Sequence, residues 1–191
     1  MLRSVIISGP PAIGKTTVAK GLAEEFNLKH LSGGDILKEM AEEEGFSSKG
    51  DDWWDTQEGI NFLDQRKKNS EFDKNVDDKL KELFSKGGIV VTSYTLPWLV
   101  DGGIKIWLDG SKENSALRMT ARDNSSKNEA LEIVQKRYNE NKMIYKELYG
   151  FEFGEDLSVF DKIIKTDGLN VEQVFEIAKS TVREFFDTKT T

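Results

Sequence analysis

Gly9-Pro10-Pro11-Ala12-Ile13-Gly14-Lys15-Thr16 is the stretch on which the reading of this chain turns. It satisfies the pattern G-x-x-x-x-G-K-[ST] at every fixed position. Each part answers a physical demand. Gly9 and Gly14 let the backbone turn tightly, so that its N–H groups point inward at phosphate oxygens. The helix that follows offers the positive end of its dipole to the same anion. Lys15 has the reach for β- and γ-phosphates, and the Thr16 hydroxyl is a ligand for Mg²⁺. Gly9, Ala12, Ile13, Gly14, Lys15, Thr16 and Thr17 are therefore the candidate nucleotide-binding residues, with Thr16 as the metal ligand. The pattern arises by chance in about one per cent of chains this long, and its surroundings narrow it further. Val5-Ile6-Ile7 before it is a β-branched run of buried-strand type. Val18, Leu22 and Phe26 after it recur every four residues, as on one face of a helix.

Outward from the loop, strands and helices alternate. Strands are expected at 28–31, 89–91, 104–108 and 162–164 besides the one before the loop. Helices are expected at 16–26, 33–44, 112–122, 129–148 and 171–186. The last carries Val171, Val174, Ala178, Val182 and Phe185 on one face. Residues 45–86 are polar, helical in parts and without a convincing strand. Such alternation predicts an α/β fold, a parallel sheet covered by helices on both faces. A length of 191 residues, with no repeat and no linker-like tract, predicts one domain over 1–191.

Composition removes several functions. Lys and Arg number 27 against 34 Asp and Glu, a net charge of −7. That balance argues against nucleic-acid or anionic-membrane partners, which need a positive field. Cysteine is absent and His30 is the one histidine, so thiol catalysis, disulfides and a multi-histidine zinc site have no material. No apolar run approaches the ~18 residues of a membrane span, and the expectation is a cytoplasmic protein. An Asn-Lys-x-Asp signature for guanine is missing. Its nearest match, Asn141-Lys142-Met143-Ile144, lacks the Asp, so ATP is the expected nucleotide.

With the loop placed, the chain resembles the nucleoside monophosphate kinases, above all archaeal cytidylate kinases. Gly9 to Lys20, Leu31 to Ala41, Ile106-Trp107-Leu108, Arg118 to Asp123, Tyr145 to Gly150 and Asp156 to Asp161 carry the likeness. It implies the P-loop kinase fold with a five-stranded sheet, MgATP as donor, an acceptor-binding helical insert (45–86) and a short lid (119–130). It also implies lid arginines, here Arg118 and Arg122, closing over the transferring phosphoryl. The departures gather on the acceptor side. Lys38 stands where the family usually has an arginine, and Thr92-Ser93-Tyr94 replaces its Glu-Gly-Arg. Asn141 and Ile144 fall where it has Asp and Arg, and Gly45 to Asp73 is about ten residues longer than its pattern. An arginine fork binds phosphate bidentately, and lysine, tyrosine or isoleucine does not replace it.

These residues predict a kinase moving the γ-phosphoryl of MgATP onto a small anionic non-nucleotide hydroxyl. A phosphorylated hydroxy acid such as mevalonate 3-phosphate is one example. CMP is the alternative, and a non-catalytic ATP-binding regulatory module the second. Lys15, Asp35, Arg118 and Arg122 are the catalytic candidates. Asp35 sits just beyond the second expected strand, where it would orient or deprotonate the acceptor or hold a magnesium-bound water. The alternative for Asp35 is a helix N-terminal charge. Lys38, Trp53, Trp54, Tyr94, Arg137 and Lys142 are the acceptor-binding candidates. Monomer and homodimer both remain open.

Overall fold

The β-branched run ahead of the glycine-rich loop forms the central strand of a sheet. The computed structural model describes residues 3–46, 71–123 and 126–188, with Arg122 placed by its backbone alone. Strands β1 (Val5–Ser8), β2 (Lys29–Ser32), β3 (Ile89–Thr92), β4 (Ile104–Asp109) and β5 (Lys162–Lys165) lie in the order β2-β3-β1-β4-β5. All four pairings are parallel, with Val5 opposite Val90 on one side and Ile104 on the other. The expected parallel α/β sheet is the one observed.

Alternation along the strands separates the two cores. Val5, Ile7, Val90, Ile104, Ile106 and Leu108 face helices α1 (Lys15–Glu25) and, at the chain's end, Val171–Asp187. Ile6, Ile89 and Val91 face the opposite layer: α2 (Gly33–Glu43), α3 (Glu71–Lys86) and α4 (Leu96–Leu99). Helices α5 (Lys112–Asp123) and α6 (Lys127–Tyr149) pack on each other through Ala116, Met119, Ala130 and Val134. The helix Val171–Asp187 is α7. Three helices open on reciprocal capping boxes, Ser32 with Asp35, Ser126 with Glu129 and Asn170 with Gln173. Beyond β4, Trp107, Tyr145 and Phe153 form an aromatic core, against which Tyr94, Trp98, Tyr138, Ile144 and Phe151 pack. Trp98 stacks flat on Phe151 at 4.4 Å.

Two elements depart from expectation. Leu28 is not in β2, because its N–H donates to the Ala23 carbonyl at 2.8 Å and closes α1 instead. The short α4 was unexpected. Pro97 in its first turn suits a helix start, and Lys105 Nζ takes the Pro97 and Val100 carbonyls at 2.8 and 2.6 Å.

Candidate active site

Parallel strands deliver all their C-terminal ends to one edge, where open α/β sheets hold ligands. The loop 9–14 leaves β1 at that edge. Gly9 has φ +147°, and a Cβ there would stand 2.4 Å from the Leu108 carbonyl oxygen, so no side chain fits. Gly14 has φ +98° and caps α1. Ala12 also lies in the left-handed region at φ +59°, while Ile13 is wholly buried as the loop's anchor. Thr16 and Thr17 begin α1 with exposed side chains.

Lys15 is folded onto the loop that precedes it. Its Nζ donates to the Gly9 carbonyl at 3.0 Å and the Pro10 carbonyl at 2.7 Å, and lies 4.5 Å from the centre of the Tyr94 ring. Burial, and secondarily the Arg137 guanidinium on α6, bring its pKa down to about 7. Arg118 on α5 reaches the loop as well. Its Nη1 donates to the Ile13 carbonyl at 3.2 Å, and its Nε to Asn114 Oδ1 at 3.4 Å. The sheet edge thus brings together Lys15, Tyr94, Arg118 and Arg137, residues up to 122 positions apart in the chain.

The other candidates are placed as follows. Asp35 is exposed, and its Oδ2 accepts from the Ser32 N–H at 2.9 Å and the Ser32 hydroxyl at 2.7 Å, which is the α2 capping box. Lys38 follows one turn later on the same helix, half-buried. The Lys142 ammonium pairs with the Glu155 carboxylate and stands 4.0 Å from that of Glu152. Ile144 packs in the aromatic core. Trp53 and Trp54 lie outside the described residues, as does the Arg122 side chain.

One group was missed in the sequence. Asp77 on α3 is 4% exposed, with hydroxyl donors as its hydrogen-bond partners and Lys81 acting on it only as a weaker charge. The Thr95 hydroxyl donates to Oδ1 at 2.5 Å, and the Tyr149 phenol to Oδ2 at 2.6 Å. Burial pushes its carboxyl above the ordinary carboxylate range, and these two donors pull it back. The same burial and the adjacent carboxylate push the Tyr149 phenol well up. A signal existed. Val76, Leu80 and Phe84 mark the buried face of α3, and Asp77 lies three and seven residues before two of them.

Similarity to known proteins extends over the loop and most of the chain. The AAA domain family matches residues 8–119, from the end of β1 to α5. A cytidylate kinase of Methanocaldococcus jannaschii is 35% identical over 183 residues, covering 93% of this chain and 96% of that protein. The chain belongs to the P-loop kinase family. A second relative of this kinase, a cytidylate kinase of Sulfurisphaera tokodaii, is 32% identical and covers 92% of the chain and 93% of itself. The fold recurs in a shikimate kinase from Acinetobacter baumannii, with a TM-score of 0.58 and 17% identity over 100% of this chain and 97% of that one. It recurs also in a gluconokinase from Sinorhizobium meliloti, with a TM-score of 0.57 and 16% identity over 97% and 94%. The kinase is an enzyme, a phosphotransferase. No helix among its described residues is long and apolar enough to cross a membrane.

Proposed function

We propose that this kinase acts in the cytoplasm, moving the γ-phosphoryl of MgATP onto the hydroxyl of a small anionic, non-nucleotide acceptor. In this reading Lys15 and the 9–16 backbone hold the phosphates, and Arg118 and Arg122 neutralise charge that spreads during transfer. Asp35 receives or orients the hydroxyl proton. Residues 45–86 form the acceptor insert and 119–130 the lid. Among the described residues no group of three or more His, Cys, Asp or Glu side chains converges on a metal. A Mg²⁺ ion therefore suits Thr16 together with phosphate oxygens and water, a set this hard cation prefers. It would neutralise phosphate charge.

The observation that carries the reading is the chemistry of the acceptor edge. Among the described residues, α2, α3 and the β3–α4 turn contain no arginine, and they carry Lys38 and Tyr94 instead. A nucleotide's phosphate is best held by a guanidinium fork. The names of the 35% and 32% identical relatives favour a second reading, CMP as acceptor. A screen with MgATP decides between them, following ADP formation with CMP, UMP, AMP and phosphorylated hydroxy acids, mevalonate 3-phosphate included. Turnover with a hydroxy acid and little with CMP is the expected result. Efficient turnover of CMP alone overturns it.

A further inference from the structure

A carboxylate and two hydroxyls form an ordered chain behind the phosphate site. Thr95 has a single hydroxyl proton, and it goes to Asp77 Oδ1. The Ser93–Thr95 hydroxyl contact at 3.2 Å therefore has Ser93 as its donor. Ser93 Oγ in turn accepts from the Thr95 and Leu96 N–H groups at 3.2 and 3.1 Å. Every hydrogen of this chain is assigned once the carboxylate stands at its end. Ser93, Thr95 and Asp77 are all buried. Tyr94 lies between the two hydroxyl-bearing residues, so its backbone is pinned on both sides. Its ring is wedged edge-on against Phe153 at 5.6 Å and lies 4.5 Å from Lys15 Nζ. Tyr149, the second donor to Asp77, is the last residue of α6, the helix that also carries Arg137.

We propose that Asp77 is a positioning residue of the phosphate site: by holding Thr95, and through it Ser93, it fixes the Tyr94 ring as the seat of the Lys15 ammonium. A buried carboxylate is an expensive way to stabilise a helix contact, since an apolar replacement often does as well. It is a good way to orient hydroxyls, because it accepts and never donates. The ring then offers its negative face to the cation, beside the Gly9 and Pro10 carbonyls. The role rests on Lys15 as the phosphate cation, as proposed above, and does not depend on which acceptor the kinase uses.

The test reads Lys15 directly, so it stands apart from any failure of the acceptor assignment. In protein labelled with ¹³C at the lysine ε-carbons, the Lys15 methylene protons lie near an aromatic face and resonate upfield of the other lysines. Lys15→Arg identifies the signal by removing it, and Tyr94→Leu returns it to the ordinary position. Asp77→Ala and Thr95→Val are expected to move it the same way. Asp77→Asn keeps it, since the amide oxygen accepts from Thr95 while the NH₂ group donates to Tyr149. Adding Asp77→Ala to Tyr94→Leu changes neither the Lys15 signal nor the ADP affinity beyond Tyr94→Leu alone. A purely structural Asp77 lowers Tm and leaves the resonance in place. Thr95→Val preserves shape and serves if Asp77→Ala does not fold. A folded Thr95→Val or Asp77→Ala protein with its Lys15 signal at the wild-type position overturns the proposal.

Discussion

At the scale of single residues, Lys15 concentrates the chemistry. It is the one side-chain cation of the glycine-rich loop, and two loop carbonyls and an aromatic ring hold it beside the backbone N–H groups. Lys15→Ala is expected to lower kcat more than tenfold, a loss above ~1.4 kcal/mol, with the fold intact by circular dichroism. A variant retaining more than a tenth of wild-type turnover contradicts the role. Its depressed pKa of about 7 makes a second demand. Above that pH the folded protein holds Lys15 largely neutral, whereas the unfolded chain keeps the proton up to about 10.4. Between those limits the native state binds fewer protons than the unfolded one, so this group's contribution favours folding increasingly as pH rises. A bound polyphosphate reverses the preference by restoring the charge. ADP binding at pH 8 should therefore take up a fraction of a proton, and affinity should weaken as pH rises further. Calorimetry in buffers of different ionisation heat measures this uptake, and a value of zero rejects the linkage.

At the scale of elements, Asp35 of helix α2 combines an observed structural duty with the proposed catalytic one. Asp35 closes the capping box of that helix, with three hydrogen bonds between it and Ser32. Asp35→Ala should cost about 1 kcal/mol, or some 2–4 °C in Tm for a chain of this size. Asp35→Asn separates the two duties, because its amide oxygen still receives the Ser32 N–H but no longer takes a proton. If Asp35 is the base for an alcohol, this variant melts close to wild type while kcat falls by ~10²–10⁴. An unchanged kcat leaves Asp35 as a cap alone. Elements of this kind were legible because their signals are local: Gly14 before a helix, an acidic Asp35 at a helix start, β-branched triplets in β1 and β3. The α4 turn and the partners of Asp77 were not, for a different reason. Lys105 holds α4 from eight residues away, and the partner of Asp77 nearest in sequence stands 18 residues on. The spacing of Val76, Leu80 and Phe84 puts Asp77 on the buried face of α3, but not the hydroxyls that meet it there.

At the scale of the whole molecule, the sheet order places the loop of β1 between the turn after β3 and helix α5. Lys15, Tyr94 and Arg118 therefore meet at one edge, where the proposed donor and acceptor sites would adjoin. The donor half was readable from a contiguous motif. The proposed acceptor half would be assembled from α2, the β3–α4 turn and α6, so its chemistry emerges only from comparing positions. Lys38, Tyr94 and Ile144 stand where the resembling family carries arginine, and Ile144 is packed in the aromatic core while Tyr94 faces Lys15. A charged hydrogen bond contributes roughly 1.5–3 kcal/mol, so two or three absent clamps cost CMP about 3–9 kcal/mol. That corresponds to some two to six decades in kcat/KM. The expected outcome is that CMP is phosphorylated with kcat/KM below ~10⁵ M⁻¹s⁻¹, within the lower range of enzymes, and that a small carboxylate- or phosphate-bearing alcohol exceeds it. Tyr94→Arg should raise kcat/KM for CMP, because it returns a phosphate fork to a position where the resembling family carries one. Steady-state kinetics with both acceptors, on wild type and Tyr94→Arg, measure this. A wild-type value for CMP above that threshold would restore a cytidylate kinase and show that residues 45–86 supply the missing clamps.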